Sequence, residues 1–237
     1  MRPAPNSDIA GIVLAAGAGT RLGAPKGLLC TAAGQPVVAA LCGQLAAAGL
    51  AETVVVTGAA AEAVAAGVPA GARATHAPDW QDGLSASLRA GLQALAAVAD
   101  GAEADVPAGA EAEAPAAERI RAAVILLADV PDITAEAIAA VIDAARESGV
   151  ETSLVRAVFG ARPGHPVVIG AAHWPQVIAT ATGDAGAKAL FASGAVREVD
   201  CSHLCTGADV DTPEQLQAAG LRLPDDVGTG YAAEVGR

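Results

Sequence analysis

The amino-acid sequence favours an α/β fold with a mostly parallel central sheet. Residues 9–16 form a continuous apolar run that stops at the glycine-rich residues 17–23, as in a strand that is covered on both faces and followed by a loop. Residues 36–48 have helical character and residues 53–57 are rich in β-branched side chains, which completes a strand, helix, strand opening. A second buried strand is predicted at residues 122–128.

The remaining elements continue this alternation. Residues 84–99 carry leucines spaced four, four and three residues apart, which places them on one face of a helix. A further helix is predicted after Thr134 and a last one after Thr212, where Thr-Pro-Glu-Gln forms a capping box. We also expect strands at residues 153–159, 166–169 and 195–199, a loop at residues 160–165 and a helix at residues 185–192.

The length of 237 residues suits one large domain, which we assign to residues 1–220. Residues 99–118 contain six acidic residues and no basic one among Ala, Gly and Pro. Such a segment cannot bury enough apolar surface to offset its ordering entropy, so we expect a flexible surface insertion. Residues 221–237 are expected to form a loose tail.

The composition argues against several functional classes. With 14 basic and 26 acidic residues the net charge is -12, which disfavours a general binder of nucleic acid or anionic membranes. No apolar run approaches the ~20 residues of a spanning helix, and the first residues lack the apolar core of a signal peptide, so we expect a cytoplasmic protein. The segment from Cys201 to Cys205 imitates metal-ligand spacing, but buried thiols at a strand end are the simpler interpretation.

Residues 14–26 read Leu-Ala-Ala-Gly-Ala-Gly-Thr-Arg-Leu-Gly-Ala-Pro-Lys. A dinucleotide-binding fingerprint fits poorly, because Pro25 delays the helix and the next strand ends at Gly58 without an acidic residue. A Walker loop fails because Lys26 is followed by Gly27 rather than Ser or Thr. A structural turn with an ordinary surface arginine and lysine stays open.

The same segment resembles the nucleotide-binding signature of nucleoside-triphosphate transferases that share a Rossmann-like domain. Within them it is similar to the molybdenum cofactor cytidylyltransferase group of the MobA-like family. Four further parts of the chain agree with that family in order, namely residues 83–92, 127–131, 164–166 with 183–187, and 209–213. The resemblance covers residues 9–219 and implies a Rossmann-like three-layer sandwich of the nucleotide-diphospho-sugar transferase type.

The resemblance also implies roles for individual residues. It assigns nucleotide binding to Leu14, Ala15, Ala16, Gly17, Gly19, Arg21, Lys26 and Ser87, and acceptor binding to His165 and Asp184. It assigns catalysis to Arg21, Lys26 and Asp129, and the binding of Mg²⁺ to Asp129 and Asp211. The implied partners are CTP or GTP, a molybdopterin-type phosphate acceptor, and a molybdoenzyme or its maturation chaperone, with neither nucleic acid nor membrane.

The chemistry of nucleotidyl transfer explains this set of residues. An anionic oxygen attacks the α-phosphate while pyrophosphate leaves, so the enzyme mostly positions groups and neutralises charge. Gly17 and Gly19 let backbone amides approach phosphate oxygens, and Arg21 and Lys26 supply positive charge. A phosphate nucleophile is mostly dianionic at neutral pH, so no general base is required.

The metal ligands have local alternatives. Asp129 follows a buried strand, where ligands of open α/β sheets bind, although an Asp there often only caps a turn. Paired with Asp211, which we also place at a strand end, it forms the two-carboxylate set that Mg²⁺ accepts. Asp209 competes with Asp211 for the second position, on the opposite strand face.

Other assigned residues also have ordinary structural interpretations. Ser85 or Ser87 is expected to cap the helix at residues 84–99. A lone loop histidine such as His165 is usually structural. Asp184 is an expected helix cap, with Lys188 as its i,i+4 partner.

We therefore expect an enzyme that transfers CMP from CTP to the terminal phosphate of molybdopterin. Leu-Ala-Ala-Gly at residues 14–17 resembles the cytidylyl pattern, whereas guanylyl enzymes tend to carry Leu-Ala-Gly-Gly; the added methyl of Ala16 is worth ~1 to 3 kcal/mol of discrimination. Leu22 replaces the family's usual Met, a swap that conserves volume. The alternatives are a guanylyltransferase, a sugar- or alcohol-phosphate nucleotidyltransferase and, in another class, a non-catalytic nucleotide-binding chaperone.

Overall fold

The computed structural model describes residues 6–99, 120–193 and 195–224. The strands are β1 (Ile9–Leu14), β2 (Cys30–Thr31), β3 (Thr53–Thr57), β4 (Arg73–His76), β5 (Ala122–Leu127), β6 (Leu154–Phe159), β7 (Arg162–Gly170), β8 (Arg197–Asp200) and β9 (Leu221–Arg222). The α-helices are α1 (Val37–Ala47), α2 (Ala61–Ala66), α3 (Leu84–Ala99), α4 (Ala135–Ser148), α5 (Trp174–Thr180), α6 (Lys188–Ser193) and α7 (Pro213–Ala218).

Seven strands form the central sheet in the order β4-β3-β1-β5-β7-β6-β8. β1 pairs in parallel with β3 on one side and with β5 on the other, and all six of its residues are buried. Among the described strands of this sheet, only β7 runs antiparallel to its neighbours. The expected mostly parallel α/β sheet is therefore confirmed.

Helices cover both faces of this sheet. In β1, Val13 belongs to the hydrophobic core that includes α1 and α4, whereas Ile12 belongs to the core that includes α3 and α5, because successive strand side chains point to opposite faces. Leu92 and Leu95 of α3 are fully buried, as the leucine spacing predicts. The result is the expected three-layer sandwich. Within the described residues, no helix is long and apolar enough to cross a membrane.

Some boundaries differ from the expectations, most clearly around β7. The loop expected at residues 160–165 is mostly strand, because β7 begins at Arg162, which pairs with Phe159. The ring of Phe159 covers Gly164, where a Cβ would lie 2.8 Å from it, and this packing extends the hairpin. The helix expected from residue 185 begins only at Lys188, and the strand expected from residue 195 begins at Arg197.

The end of the described chain is also more ordered than expected. Leu221 and Arg222 form β9, which pairs antiparallel with Thr31 and Cys30 of β2. The expectation of a loose tail from residue 221 is therefore wrong for these two residues. The rest of that tail from residue 225, and the expected insertion from residue 100, lie outside the described residues.

Candidate active site

A cavity of about 570 Å³ opens at the carboxyl ends of β1 and β5. Its lining includes all but one of the residues to which the resemblance gave a role, namely Leu14, Ala15, Ala16, Gly17, Gly19, Arg21, Lys26, Ser87, Asp129, Asp184 and Asp211. The exception is His165. Ligands of open α/β sheets bind at this edge, so the position of the cavity agrees with a binding site.

The glycine-rich loop after β1 folds back toward the cavity. Gly23 donates its N–H to the carbonyl of Gly19 at 2.8 Å, and Lys26 donates its N–H to the carbonyl of Gly17 at 3.2 Å. Gly19 has φ +61°, and a Cβ there would lie 1.9 Å from the carbonyl oxygen of Ala24. Only glycine fits this turn. A Cβ at Gly17 would meet nothing within 4 Å, so its backbone faces open space.

Two carboxylates and two cations form an ion cluster in the cavity. Nζ of Lys26 lies 2.5 Å from Oδ2 of Asp129 and also contacts Oδ1 of Asp211. Arg21 Nη2 lies 2.7 Å from the other oxygen of Asp211. Asp129 follows β5 and the cations follow β1, so the parallel pairing of these strands brings them together. Lysine thus occupies the space between the two acidic residues.

This cluster shifts the pKa values of Lys26 and Asp211. Burial opposes the charged form of Lys26, but Asp129 and Asp211 outweigh it and raise the pKa of this lysine above its usual value. The hydrogen bond from Lys26 and the charges of Lys26 and Arg21 lower the pKa of Asp211, although burial opposes them. Both groups are therefore charged at neutral pH.

The donor set fits a divalent cation. Oδ1 of Asp129 is buried and has no hydrogen-bond partner. One carboxylate oxygen beside the ammonium group of Lys26 is therefore unused. Two carboxylates plus phosphate oxygens and water are what Mg²⁺ prefers. Within the described residues, no group of three or more His, Cys, Asp or Glu side chains is arranged to hold a metal ion. Asp129 and Asp211 are the two carboxylates that share contact with the Lys26 ammonium group.

Asp211, rather than Asp209, reaches the cavity. The strand expected before it is absent: the chain has no regular structure from residue 205 to residue 211. Instead, Val210 donates its N–H to the carbonyl of Asp129 at 2.8 Å, and Thr212 starts α7 with the predicted capping box. Asp209 is exposed and lies 3.9 Å from Arg162.

Comparisons with known proteins identify the family of this chain. The sequence-family model named MobA-like NTP transferase domain matches residues 11–199, which is most of the chain. The chain belongs to the MobA-like NTP transferase family. This membership makes it a nucleotidyltransferase, as the sequence predicted at that level.

Relatives of this MobA-like protein include solved structures. Rv0371c from Mycobacterium tuberculosis H37Rv is 27% identical and superposes with a TM-score of 0.67, covering 90% of this chain and 97% of that one. Its complex with manganese is 26% identical with a TM-score of 0.65, covering 90% and 97%. Nicotine blue oxidoreductase from Paenarthrobacter nicotinovorans is 47% identical over 57 residues, which are 23% of this chain and 28% of that protein's length.

The two serines of the MobA-like protein do not cap α3. The helix begins at Leu84, so Ser85 and Ser87 lie inside its first turn, where both are buried. The hydroxyl of Ser85 accepts the N–H of Gly186 at 3.0 Å, which joins α3 to the chain before α6. Ser87 lines the cavity.

Asp184 is not a helix cap either. It lies in a single 3-10 turn at Gly183–Ala185, and α6 begins later, at Lys188. Oδ1 of Asp184 sits over Gly83, where a Cβ would lie 2.4 Å from it. Among the described ion pairs there is none between Asp184 and Lys188. Asp184 instead lines the cavity, beside the start of α3.

His165 lies away from the cavity lining, within β7 rather than in a loop. Burial lowers the pKa of its imidazole to about 4, so the ring is neutral at neutral pH. Its assignment to acceptor binding stays a prediction.

The cysteine pair near β8 is structural in character. Cys201 is fully buried, and Cys205 is partly buried. Burial raises the pKa of the Cys201 thiol to about 11. The burial of Cys201 directly after β8 agrees with the interpretation from sequence as a buried thiol at a strand end.

Several residues of the cavity lining carried no prediction from sequence, and Trp80 is the largest of them. Trp80 and Gln81 lie in a 3-10 turn at Trp80–Asp82, just before Gly83 and Leu84. One signal was present in the sequence: a tryptophan in a chain with only five aromatic residues, three positions before the matched segment at residues 83–92.

Proposed function

We propose that this chain transfers CMP from CTP to the terminal phosphate of molybdopterin and releases pyrophosphate. The observation that carries the proposal is the ion cluster, in which Lys26 lies between Asp129 and Asp211 beside a glycine-rich loop. Phosphate-binding cations and metal-binding carboxylates thus share one cavity. A protein that only senses a nucleotide does not require both the phosphate-binding cations and the metal-binding carboxylates.

In the proposed reaction, an oxygen of the acceptor phosphate forms a bond to the α-phosphorus of CTP. The bond from that phosphorus to the oxygen bridging to the β-phosphate breaks, and pyrophosphate leaves with the electron pair. Arg21 and Lys26 bind the triphosphate and neutralise the charge that grows on the leaving group. Mg²⁺ held by Asp129 and Asp211 supplies further positive charge to the phosphate oxygens when bound.

Binding of the triphosphate changes the partners of the cations. Phosphate oxygens compete with Asp211 for Arg21, whose side chain is 73% exposed and so accessible to a ligand, and with both carboxylates for Lys26. Each cation that turns to phosphate leaves a carboxylate oxygen available to the metal. Nucleotide and metal therefore support each other's binding.

The choice of cytosine is supported by Ala16 at the wall of the cavity. Its methyl lies against Gly58, where a Cβ would be 2.7 Å from it, so no space separates these two residues. The cytidylyl pattern carries this methyl where the guanylyl pattern carries glycine, and one methyl group is worth about 1 to 3 kcal/mol of discrimination between substrates. The oxidoreductase activity named for the nicotine blue relative is not part of the proposal, because that match covers 23% of this chain.

Pyrophosphate release tests the proposal directly. Purified protein is incubated with molybdopterin, Mg²⁺ and either CTP, GTP or ATP, and pyrophosphate is measured with a coupled enzymatic assay. We expect release with CTP that depends on molybdopterin. Release with GTP alone would favour the guanylyltransferase, release only with a sugar or alcohol phosphate would replace the acceptor, and nucleotide binding without release would favour the non-catalytic chaperone.

Matched variants test the metal assignment. Asp129→Asn and Asp211→Asn should each reduce the rate by at least about a hundredfold, because each removes a charge from the reacting centre. Asp209→Asn removes the same charge two residues from Asp211 but outside the cavity, and it should retain the rate within about twofold. Normal turnover by Asp129→Asn would contradict the assignment.

A further inference from the structure

Trp80 forms part of the cavity wall but has no role in the function proposed above. It is partly exposed, and it is the only aromatic residue among the described lining residues. The chain contains only two Trp, two Phe and one Tyr. The indole of Trp80 therefore marks a part of the cavity that differs chemically from the small, aliphatic and charged side chains around it.

Close packing holds Trp80 in this place. A Cβ at Gly58 would lie 2.6 Å from Cγ of Trp80 and 2.7 Å from Cβ of Ala16, so the tryptophan rests on Gly58 and next to Ala16. The backbone N–H of Trp80 donates to the carbonyl of Ala77 at 3.2 Å, and the backbone N–H of Ala77 donates to the carbonyl of Thr57 at 2.9 Å. These contacts place Trp80 at the carboxyl ends of β3 and β4.

The indole and the ion cluster lie on opposite sides of the glycine-rich loop. Gly58, beneath Trp80, follows β3, whereas Asp129 follows β5, and β1 lies between these two strands. Neighbouring strands are about 4.8 Å apart, so β3 and β5 are separated by about 10 Å. A nucleoside and its phosphates span this separation. The charged side suits the phosphates, and the aromatic side suits a flat ring.

We propose that Trp80 stacks on the nucleobase of the bound nucleotide and supplies affinity without selecting among bases. The inference rests on the proposed function, because it requires a nucleotide whose phosphates lie against Lys26. Every base has a π face, so stacking tolerates any base. Trp174, in contrast, is buried and donates its indole N–H to the carbonyl of Ile169 at 3.0 Å, which makes it an internal reference for a tryptophan of the core.

Fluorescence and calorimetry with the full chain test this inference. CTP should quench tryptophan emission in the wild type and in Trp174→Phe, but not in Trp80→Phe, where only the core tryptophan emits. Trp80→Ala should weaken the binding of CTP and of GTP by about tenfold to a hundredfold each, and leave the ratio of the two affinities within about threefold. Inorganic tripolyphosphate, which has no base, should bind Trp80→Ala as it binds the wild type.

Each outcome decides between the inference and the function on which it rests. Unchanged CTP affinity in Trp80→Ala, or equal weakening of CTP and tripolyphosphate, would overturn the role of Trp80 and leave the proposed function standing. A tenfold change in the CTP to GTP ratio would overturn the claim that Trp80 does not select. If the wild type binds neither CTP nor tripolyphosphate, the proposed function fails and the inference fails with it. If Trp80→Ala does not fold, Trp80→Phe decides the matter through the loss of quenching.

Discussion

Replacing Lys26 by methionine removes the cation that lies between Asp129 and Asp211. Methionine has a similar length and no charge, so the change leaves two carboxylates facing each other at the cavity. Both carboxylate oxygens contact the same nitrogen in the native cluster, so they lie within about 5 Å of each other. We expect Lys26→Met to abolish turnover and also to destabilise the fold.

The size of the destabilisation follows from this geometry. Two unit charges about 5 Å apart repel each other by about 3 kcal/mol at an effective dielectric constant of about 20. The side chains of Asp129 and Asp211 are 17% and 14% exposed, so solvent and salt screening reduce the repulsion. We therefore expect a loss of about 2 kcal/mol, which lowers the melting temperature by roughly 4 to 8 °C in a domain of this size.

The pH dependence has a definite sign. Because folding raises the pKa of Lys26, its charged form stabilises the fold. This contribution is complete below pH 10.5 and is lost as the pH rises through the raised pKa. Because folding lowers the pKa of Asp211, its charged form also stabilises the fold. This contribution is complete above pH 3.8 and is lost as the pH falls through the lowered pKa. The difference between wild type and Lys26→Met should therefore be largest between these limits and shrink as the pH falls below 3.8.

Thermal melting by circular dichroism measures these effects. Lys188→Met is the matched control, because Lys188 is the other lysine of the chain and is exposed; it should melt with the wild type. Mg²⁺ without nucleotide should stabilise Lys26→Met more than the wild type, since the metal takes the place of the ammonium group. A Lys26→Met protein that melts with the wild type at pH 7 and gains nothing from Mg²⁺ would refute the electrostatic argument.

Three further changes test separate parts of the structure. Gly19→Ala would put a Cβ 1.9 Å from the carbonyl oxygen of Ala24, so we expect at least about a tenfold loss of CTP affinity by calorimetry; native affinity would contradict the turn as described. Thr212→Ala removes the cap that accepts the N–H of Gln215 and should lower stability by about 1 kcal/mol in a melting experiment, with no change counting against the cap. Ala16→Gly should reduce the preference for CTP over GTP in kcat/KM by about tenfold or more, and an unchanged preference would remove Ala16 from base selection.

Much of the fold could be predicted because its signals are local. The apolar strands at residues 9–14 and 122–127, the leucine face of α3 and the cap at Thr212 depend on residues close in sequence. The same holds for the site residues that follow β1 and β5, since parallel strand ends meet at one edge of the sheet. Eleven of the residues assigned from sequence accordingly line one cavity.

The features that the sequence did not predict depend on contacts between distant segments. Asp211 was expected in the site but at the end of a strand; its position in an irregular segment follows from the bond between Val210 and the carbonyl of Asp129, and residues 209–211 carry no local signal of that bond. Likewise, β7 begins early because Arg162 pairs across the hairpin, although Arg, Pro and Gly at this point are typical of a loop. Trp80 reaches the cavity only because Gly58 leaves room beneath it.

The two-residue ribbon of β2 and β9 links the far end of the described chain to the active site. β2 follows the segment that carries Lys26, and β9 follows the helix that begins just after Asp211. The two partners of one ion pair are therefore also joined behind the cavity by backbone hydrogen bonds. We therefore expect a cleavage or a peptide inserted close to residue 222 to disturb this pairing and, through β2, the segment that carries Lys26.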